Sequence, residues 1–285
     1  MRSLICFLFL LPFSMLAQDV IYFSSSSNSR GRDLYAMTSK KNSHDKLTYQ
    51  LGSGHYPHFN SPKLSPDGTT LVFQSDPDGH DRYTIWTMKT DGSSLKKITQ
   101  REGMYPNWSP DGKTIIFSGR RNGIWEILTI PASGGTEQLL TKNYQAGTKP
   151  KWGATCSYHP NGKSIIYSYI REKVLYSYNF EDGKSTQLSS NGSYTHPIYA
   201  KDGRIAVNRK IDESYHLVII ENGEETVIAK NVISYSAPDW YSNESKLLFV
   251  GMVNGNQELF TIDLKTREET QLTKNNDFDA MPVAY

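Results

Sequence analysis

Along most of this chain, short runs of apolar β-formers alternate with clusters of Pro, Asp, Asn, Gly and Ser. The clearest unit is Tyr105-Pro106-Asn107-Trp108 followed by Ser109-Pro110-Asp111-Gly112-Lys113 and then Thr114-Ile115-Ile116-Phe117. Proline fixes φ for the first corner of a type I turn, aspartate bonds its own backbone, and glycine completes the turn at positive φ. The apolar run that follows predicts the second strand of a hairpin. The unit returns as Pro62 to Gly68 running into Leu71-Val72-Phe73, as Tyr158-His159-Pro160-Asn161-Gly162 into Ile165-Ile166-Tyr167, and as Pro197 to Gly203 into Ile205-Ala206-Val207. A fifth, eroded copy is Pro238 to Asn243 into Leu247-Leu248-Phe249. The corner residues Asp67, Asp111, Asn161, Asp202 and Asn243 are 44, 50, 41 and 41 positions apart. One supersecondary unit repeated at that period, with strand signals throughout, predicts a β-propeller.

Each copy carries a second hairpin. A mostly apolar strand precedes a Gly-rich or polar turn, and a more polar strand follows: Tyr83–Met88 with Leu95–Thr99, Ile124–Ile130 with Glu137–Thr141, Val174–Phe180 with Ser185–Ser189, Tyr215–Ile220 with Glu224–Ala229, and Leu259–Leu264 with Glu268–Thr273. Four antiparallel strands make a blade. The ends complete each other: Asp19–Ser24 looks like a second strand lacking a first, and Asp279–Tyr285 like a first strand lacking a second. Pro282 lies 44 residues beyond Pro238, in phase with the repeat. The expectation is an all-β, six-bladed propeller in which the N- and C-terminal strands share the closing blade, with outer strands at 33–38 and 46–51. The blades run approximately over 19–52 plus 278–285, 53–100, 101–142, 143–189, 190–230 and 231–274. Sharing a blade removes the open edges that would otherwise template aggregation.

Residues 1–17 fall outside this pattern. Arg2, the apolar run Leu4–Leu11 and the small-residue exit ending at Ala17 predict a secretory signal peptide cleaved near Ala17. Cys6 lies within the apolar run, so no lipoprotein-type cysteine is expected, and no later stretch approaches the roughly 20 apolar residues of a membrane helix. The propeller is then 18–285, periplasmic or secreted, with Cys156 its single thiol and no internal disulfide to support it. The 31 Lys and Arg against 29 Asp and Glu leave a net charge of +2, which argues against nucleic acid as a partner. Eighteen tyrosines and five tryptophans suit a β-rich chain with many half-buried aromatic positions.

The unit Pro-x-Trp-Ser-Pro-Asp-Gly-Lys-x-Ile-x-Phe, clearest at 105–117 and 62–73 and followed by endings such as Lys97-Ile98-Thr99, Leu139-Leu140-Thr141 and Gln271-Leu272-Thr273, resembles the TolB-type propeller repeat. The resemblance covers nearly all of residues 18–285 and implies a six-bladed propeller in the periplasm. It covers the propeller part alone, and the chain offers no room for the separate N-terminal α/β domain of TolB proper. Related repeats occur in propellers resembling oligogalacturonate lyase, which build a site from histidines and arginines at one channel end. They also occur beside the hydrolase domain of prolyl oligopeptidase-type enzymes. The second is set aside, because no Gly-x-Ser-x-Gly elbow is present.

If the Asp-Gly turns occupy one face, the opposite, loop-rich face collects Arg30, Arg32, His55, Tyr56, His58, Asp76, Asp78, His80, Arg82, Arg101, Arg120, Arg121, Arg171, Tyr194, His196, Arg209 and Asp212. Arginine pairs bidentately with carboxylates and sulfates. The expected ligand-binding set is therefore Arg30, Arg32, Arg82, Arg120, Arg121, Arg171 and Tyr194, facing an envelope protein or an acidic glycan. The leading expectation is a monomeric, non-enzymatic binding module without a cofactor. The alternative is a small lyase or hydrolase acting on acidic oligosaccharides, with His55, His58, His196 and Arg209 as catalytic candidates. Those three histidines are also the candidates for a divalent metal, against the simpler reading of dispersed loop histidines. Asp67, Asp111 and Asp202 are explained by their turns, Trp108 and Trp240 by the core, and Cys156 by a buried small side chain.

Overall fold

The structure, a computed structural model, describes residues 20–26, 31–38, 44–48, 58–77, 82–141, 153–190, 192–241 and 243–284. The expected signal peptide, Arg30, His55 and the end of the 46–51 strand lie outside the described residues. Six antiparallel four-stranded sheets form a ring of blades. Blade 1 orders Phe278–Ala284, Val20–Ser26, Asp33–Thr38 and His44–Lys46 from inside out. Blade 2 is His58–Leu64, Thr70–Asp76, Thr84–Lys89 and Lys96–Lys97; blade 3 is Gly103–Trp108, Thr114–Arg121, Ile124–Pro131 and Gln138–Leu139. Blade 4 is Ala154–Tyr158, Ser164–Tyr169, Leu175–Asn179 and Lys184–Gln187; blade 5 is Tyr194–Tyr199, Ile205–Ile211, Ser214–Glu221 and Glu224–Ala229. Blade 6 is Asp239–Trp240, Lys246–Val253, Asn256–Asp263 and Glu269–Gln271, so the eroded repeat has an inner strand of two residues. The closing strand pairs with the N-terminal one from Ile21↔Ala284 to Ser26↔Phe278, as the repeat phase predicts.

Why the second strands are apolar throughout follows from the seams. Side chains alternate across a strand, and each blade is covered on both faces. Ile115 and Phe117 enter the core shared with blade 2, while Ile116 enters the core shared with blade 4. Such a core fills each of the six seams. Trp108 and Trp240 are buried in these cores, and each indole N–H donates to the preceding blade's inner strand, at Lys63 O (3.1 Å) and Ile198 O (3.4 Å). The Asp-Gly turns are held by side chains: Asp111 Oδ1 accepts from Ser109 Oγ at 2.6 Å and from Lys113 N at 3.1 Å, and Asp67 does the same with Ser65 and Thr69. Those bonds, the serine's first, hold both carboxyls below the usual carboxylate range.

Outside blade 5, where Glu224–Ala229 is met in full, the fourth strands are shorter than the sequence suggests. Only Lys96–Lys97 and Gln138–Leu139 keep the ladder where Leu95–Thr99 and Glu137–Thr141 were expected. The closing threonine leaves the strand and turns its hydroxyl onto a backbone N–H of the third strand. Thr99 accepts from Ile85 N (2.9 Å), Thr141 from Ile127 N (3.1 Å) and Thr273 from Leu259 N (2.9 Å); Thr48 and Ser189 do likewise for Leu34 and Leu175. The Leu-Thr ending of the repeat is therefore a backbone cap. Among the described residues no helix is long and apolar enough to cross a membrane.

Candidate functional site

The inner strands of blades 1, 2, 3 and 5 share one irregularity. In each, three steps along the inner strand match two on its partner: Asn60 to Lys63 against Gln74 to Val72, Met104 to Asn107 against Ser118 to Ile116, Thr195 to Ile198 against Asn208 to Ala206, and Ala280 to Val283 against Ser24 to Tyr22. The extra residue is a β-bulge. At each bulge a non-glycine residue with φ between 52° and 56° precedes a proline: Ser61, Tyr105, His196 and Met281 before Pro62, Pro106, Pro197 and Pro282. Such a backbone is strained for these residue types. Neighbouring side chains hold it: Gln74 Oε1 accepts from Tyr105 N (2.7 Å), Thr155 Oγ1 from His196 N (3.2 Å) and Ser236 Oγ from Met281 N (2.9 Å). Blade 4, with Cys156 at the proline position, keeps a regular ladder.

The four bulges line one cavity on the propeller axis, walled by residues of all six inner segments. It offers ≈ 40 Å³ to the centres of water-sized molecules, room for about three waters. Pro62, Pro106, Pro197, Pro282 and Ala237 give it an apolar wall. Within it, the Tyr105 and His196 rings meet at 6.0 Å and 78°. His196 is buried and neither ring nitrogen completes a hydrogen bond; the Ser61 hydroxyl, also buried, is in the same position. Burial first, and then the positive Lys63, lower the His196 pKa to about 4. The Ser234 carbonyl works the other way, favouring the protonated ring from outside bonding geometry while it accepts from Thr195 Oγ1 at 2.8 Å. Burial of Tyr105 raises its phenol to about 12.

A second cavity of ≈ 190 Å³ adjoins the first and shares Lys63, Asn107 and Ile198 with it. Its other walls include Ser65, Pro66, Lys201 and Glu244, so it opens on the Asp-Gly turn face. Between the two, Lys63 Nζ reaches across the closing strand to Asp239 Oδ2 of blade 6 at 2.7 Å. Burial pushes the Asp239 carboxyl up despite the opposing pull of Lys63.

The predicted site residues are spread differently. His196 is not on the loop-rich face but midway along an inner strand, because its bulge and Pro197 belong to the ladder rather than to a connection. Tyr194 is buried, donates to Glu225 Oε1 at 2.6 Å and stacks under the Arg209 guanidinium at 5.3 Å; Arg209 itself pairs with Glu225. Arg121 is likewise consumed by Glu137 (Nε at 2.9 Å) and by the carbonyl of Glu102. Arg120 is exposed, 3.7 Å from Glu102. Arg32 and His58 meet through backbone pairing, and His58 faces Tyr83 at 6.5 Å. Arg82 and Arg171 are exposed on the connections of blades 2 and 4 and form no ion pair among the described residues. Among the described residues no three His, Cys, Asp or Glu side chains gather as a metal site. Cys156 is buried in the seam with blade 3, its thiol raised by burial to about 12.

Sequence reasoning missed Ser61, Tyr105, Met281 and the Lys63–Asp239 pair. A signal was present: Pro62, Pro106, Pro197 and Pro238 each stand five residues before the turn's Asp or Asn.

Comparison with known proteins places this geometry. The chain matches the family described as TolB beta propeller domain over residues 13–174, more than half its length. An uncharacterized protein of Agrobacterium fabrum is 30% identical over 155 residues, covering 51% of this chain and 48% of the relative. The Tol-Pal system protein TolB of Nitratidesulfovibrio vulgaris is 37% identical over 68 residues, 21% of this chain and 15% of that protein. The matches thus span about half or less of these curated relatives. Among solved structures, TolB from Acinetobacter baumannii superposes with a TM-score of 0.79 at 18% identity, covering 94% of this chain and 66% of that one, a likeness of fold.

Proposed function

We propose, from the premise that this chain belongs to the TolB β-propeller family, that it is a non-enzymatic binding or scaffold module of the bacterial envelope. A signal peptide at residues 1–17 would export it to the periplasm or beyond, and its partner would be an envelope protein or an anionic glycan. The observation that carries the reading is the placement of the arginines. Arg32, Arg82, Arg121 and Arg171 stand on or beside the connection between second and third strands in four successive blades, and Arg209 lies within the second strand of the fifth. Charges spread around a rim suit a broad surface contact, where charge complementarity governs register and encounter rate. The relation to a Tol-Pal system protein supports an envelope partner.

Arg121 and Arg209 serve internal ion pairs, so the free rim charges are the ones to remove. Affinity recovery from an envelope extract with the wild type, and with Arg82→Ala/Arg171→Ala, tests the proposal. The expected result is a defined partner lost in the double variant. Identical recovery by both proteins overturns the rim as the binding surface. Unsaturated products from uronate oligosaccharides, abolished by Arg209→Ala, would overturn the non-enzymatic assignment.

A further inference from the structure

We propose that the axial cavity is a receptor for a small carboxylate that enters from the Asp-Gly turn face and is held by Ser61, His196 and Lys63. The inference concerns the channel and is independent of the arginine rim.

Two of the side chains that the fold leaves with buried, unbonded polar atoms lie together on the propeller axis. The Ser61 hydroxyl and both nitrogens of His196 are buried without a hydrogen bond and line the same cavity. An unsatisfied buried donor or acceptor destabilises the empty site. A ligand that engages them recovers that cost. Both occupy strained bulge positions, where a bulge re-aims a side chain away from the ladder. The seams would be served as well by the regular strand that blade 4 uses.

The donor set fixes the chemistry. Ser61 O–H, an imidazole N–H and the Lys63 ammonium are donors, and one ammonium contact goes to Asp239 at 2.7 Å. The cavity's acceptors are largely spent: Thr155 Oγ1 on His196 N and Asn107 Oδ1 on Trp108 N. A donor-rich pocket beside a lysine favours an anion, and charge-assisted bonds to a carboxylate are roughly twice as strong as neutral ones. The prolines, Met281 and the Tyr105 ring suit a short aliphatic tail rather than a hydrated phosphate. The inner volume of ≈ 40 Å³ admits a head of a few atoms, and the ≈ 190 Å³ outer cavity lies behind it for whatever the head is attached to. A free organic acid and a peptide's C-terminus present the same head.

Charge balance makes the binding pH-dependent. The carboxylate brings one negative charge into a buried site, and His196 can take one proton from solvent to match it. Lining the cavity with His196 are Lys63 of blade 2, Tyr105 of blade 3, Cys156 of blade 4, Ala237 of blade 6 and Met281 of blade 1, and Asp239 lies beyond Lys63 in the outer cavity. The phenol and thiol stay neutral below pH 9, both standing near 12. The group that can gain a proton to match the ligand's charge is therefore His196, neutral in the empty site and favoured as imidazolium once a carboxylate lies beside it. That proton strengthens the site for an anion, so affinity rises as pH falls.

The experiment is a titration of the full-length protein, with 15N-labelled histidine, by sodium propionate at constant ionic strength. The His196 ring signal is assigned by its loss in His196→Gln. The expected result is a saturable shift of that signal with propionate, none with propionamide, and tighter binding at pH 5.5 than at 7.5. Ser61→Ala should weaken binding by about tenfold, as loss of one bond to a charged group does, and Arg82→Ala/Arg171→Ala should leave it unchanged. A short peptide with a free C-terminus, compared with its amide, separates the two sources: binding of the free acid alone makes peptide ends ligands, and binding of propionate alone restricts the site to small acids. Equal shifts from propionamide, no saturation, or a Ser61→Ala affinity equal to wild type would each overturn the proposal. If His196→Gln fails to fold, the acid–amide comparison on the wild type still decides.

Discussion

Blades 1 and 4 are built to the same four-stranded plan by opposite means. Blade 4 is one continuous stretch, its inner strand in regular register from Ala154↔Tyr169 to Tyr158↔Ile165, and Cys156 points into the seam with blade 3. Blade 1 takes its inner strand from the other end of the chain, breaks register between Ala280 and Val283, and leaves Met281 at positive φ on the axial cavity. Both close their outer edge with the same hydroxyl cap, Ser189 and Thr48. The difference teaches what the bulge does. The ladder alone is enough to build a blade and to wall the channel, and the extra residue is what places a strained, positive-φ side chain on that wall.

The most severe way to break the comparison is to delete residues 278–284. Blade 4 needs no distant partner, whereas blade 1 loses its whole inner strand and the paired edge of Val20–Ser26. Burial of Met281 and Val283 alone is worth roughly 1.5–3 kcal/mol each, before the ladder bonds and the seam contacts of Ala280 and Ala284 are counted. The loss approaches the roughly 5–15 kcal/mol stability of a typical domain. The truncated chain should melt far below the full-length one or aggregate. Equal melting midpoints would show that the closing strand contributes nothing.

A smaller effect isolates a bulge residue. His196 is neutral in the folded state, with its pKa lowered from 6.5 to about 4. Between those values the unfolded chain binds more protons than the folded one, so stability falls as pH drops through that window. The span amounts to about 3 kcal/mol at 1.36 kcal/mol per unit. The same position in blade 4 holds nothing that titrates. His196→Gln should therefore flatten the slope of denaturant midpoint against pH between 6.5 and 4. A slope unchanged in the variant would assign the acid sensitivity elsewhere, and not to Asp239, whose carboxyl, raised by burial, changes stability in the opposite sense.

What the sequence revealed and what it hid divide along the same line. Turns such as Ser109–Lys113 are local: five consecutive residues carry the proline, the Asx bond and the glycine, so the hairpins and their period were legible. Closure was legible because Pro282 keeps the phase of Pro238. The channel was not, since a bulge is one residue of slack whose consequence appears only when four strands meet on an axis. His196 was therefore assigned to a connection, although the proline after it stands five residues before Asp202, as in the other repeats. The arginine rim failed differently. Arg121 and Arg209 find their carboxylates beside and on the outer strands of their blades, at Glu137 and Glu225. Spacing in the chain marks such residues as charged but says nothing of whether the charge is already matched.

Blade 4 can be probed at the residue that replaces the bulge. Cys156 packs with Ile116, Ile127, Ile165 and Tyr167, and its burial keeps the thiolate scarce. Since the thiolate is the nucleophile, a thiol reagent should label the folded protein only at the rate of global opening. Cys156→Ser should cost about 1–3 kcal/mol, the usual penalty for placing a hydroxyl in an apolar seam. Fast labelling under native conditions would mean that this strand opens to solvent, as the bulged strands would sooner be expected to do.

The gentlest test compares the caps at the outer edge of the two blades. Thr48 is buried, accepts from Leu34 N at 3.1 Å and donates to Asp33 Oδ1 at 2.7 Å, and Lys46 pairs with the other oxygen, Asp33 Oδ2, at 2.6 Å. Ser189 is half-buried and accepts from Leu175 N at 3.0 Å. Water can replace the serine's oxygen but reaches Leu34 N far less readily, and a buried donor left unpaired costs more than a bond exchanged for water. Thr48→Val should cost about 1–2 kcal/mol and Ser189→Ala about 0.5–1 kcal/mol. At roughly 2–4 °C per kcal/mol for a chain near this size, the two midpoints should fall by different and measurable amounts. If Ser189→Ala is the more damaging, the cap matters more in the contiguous blade than in the closing one. The outer edge of blade 1 would then be held by the Asp33–Lys46 pair rather than by its threonine.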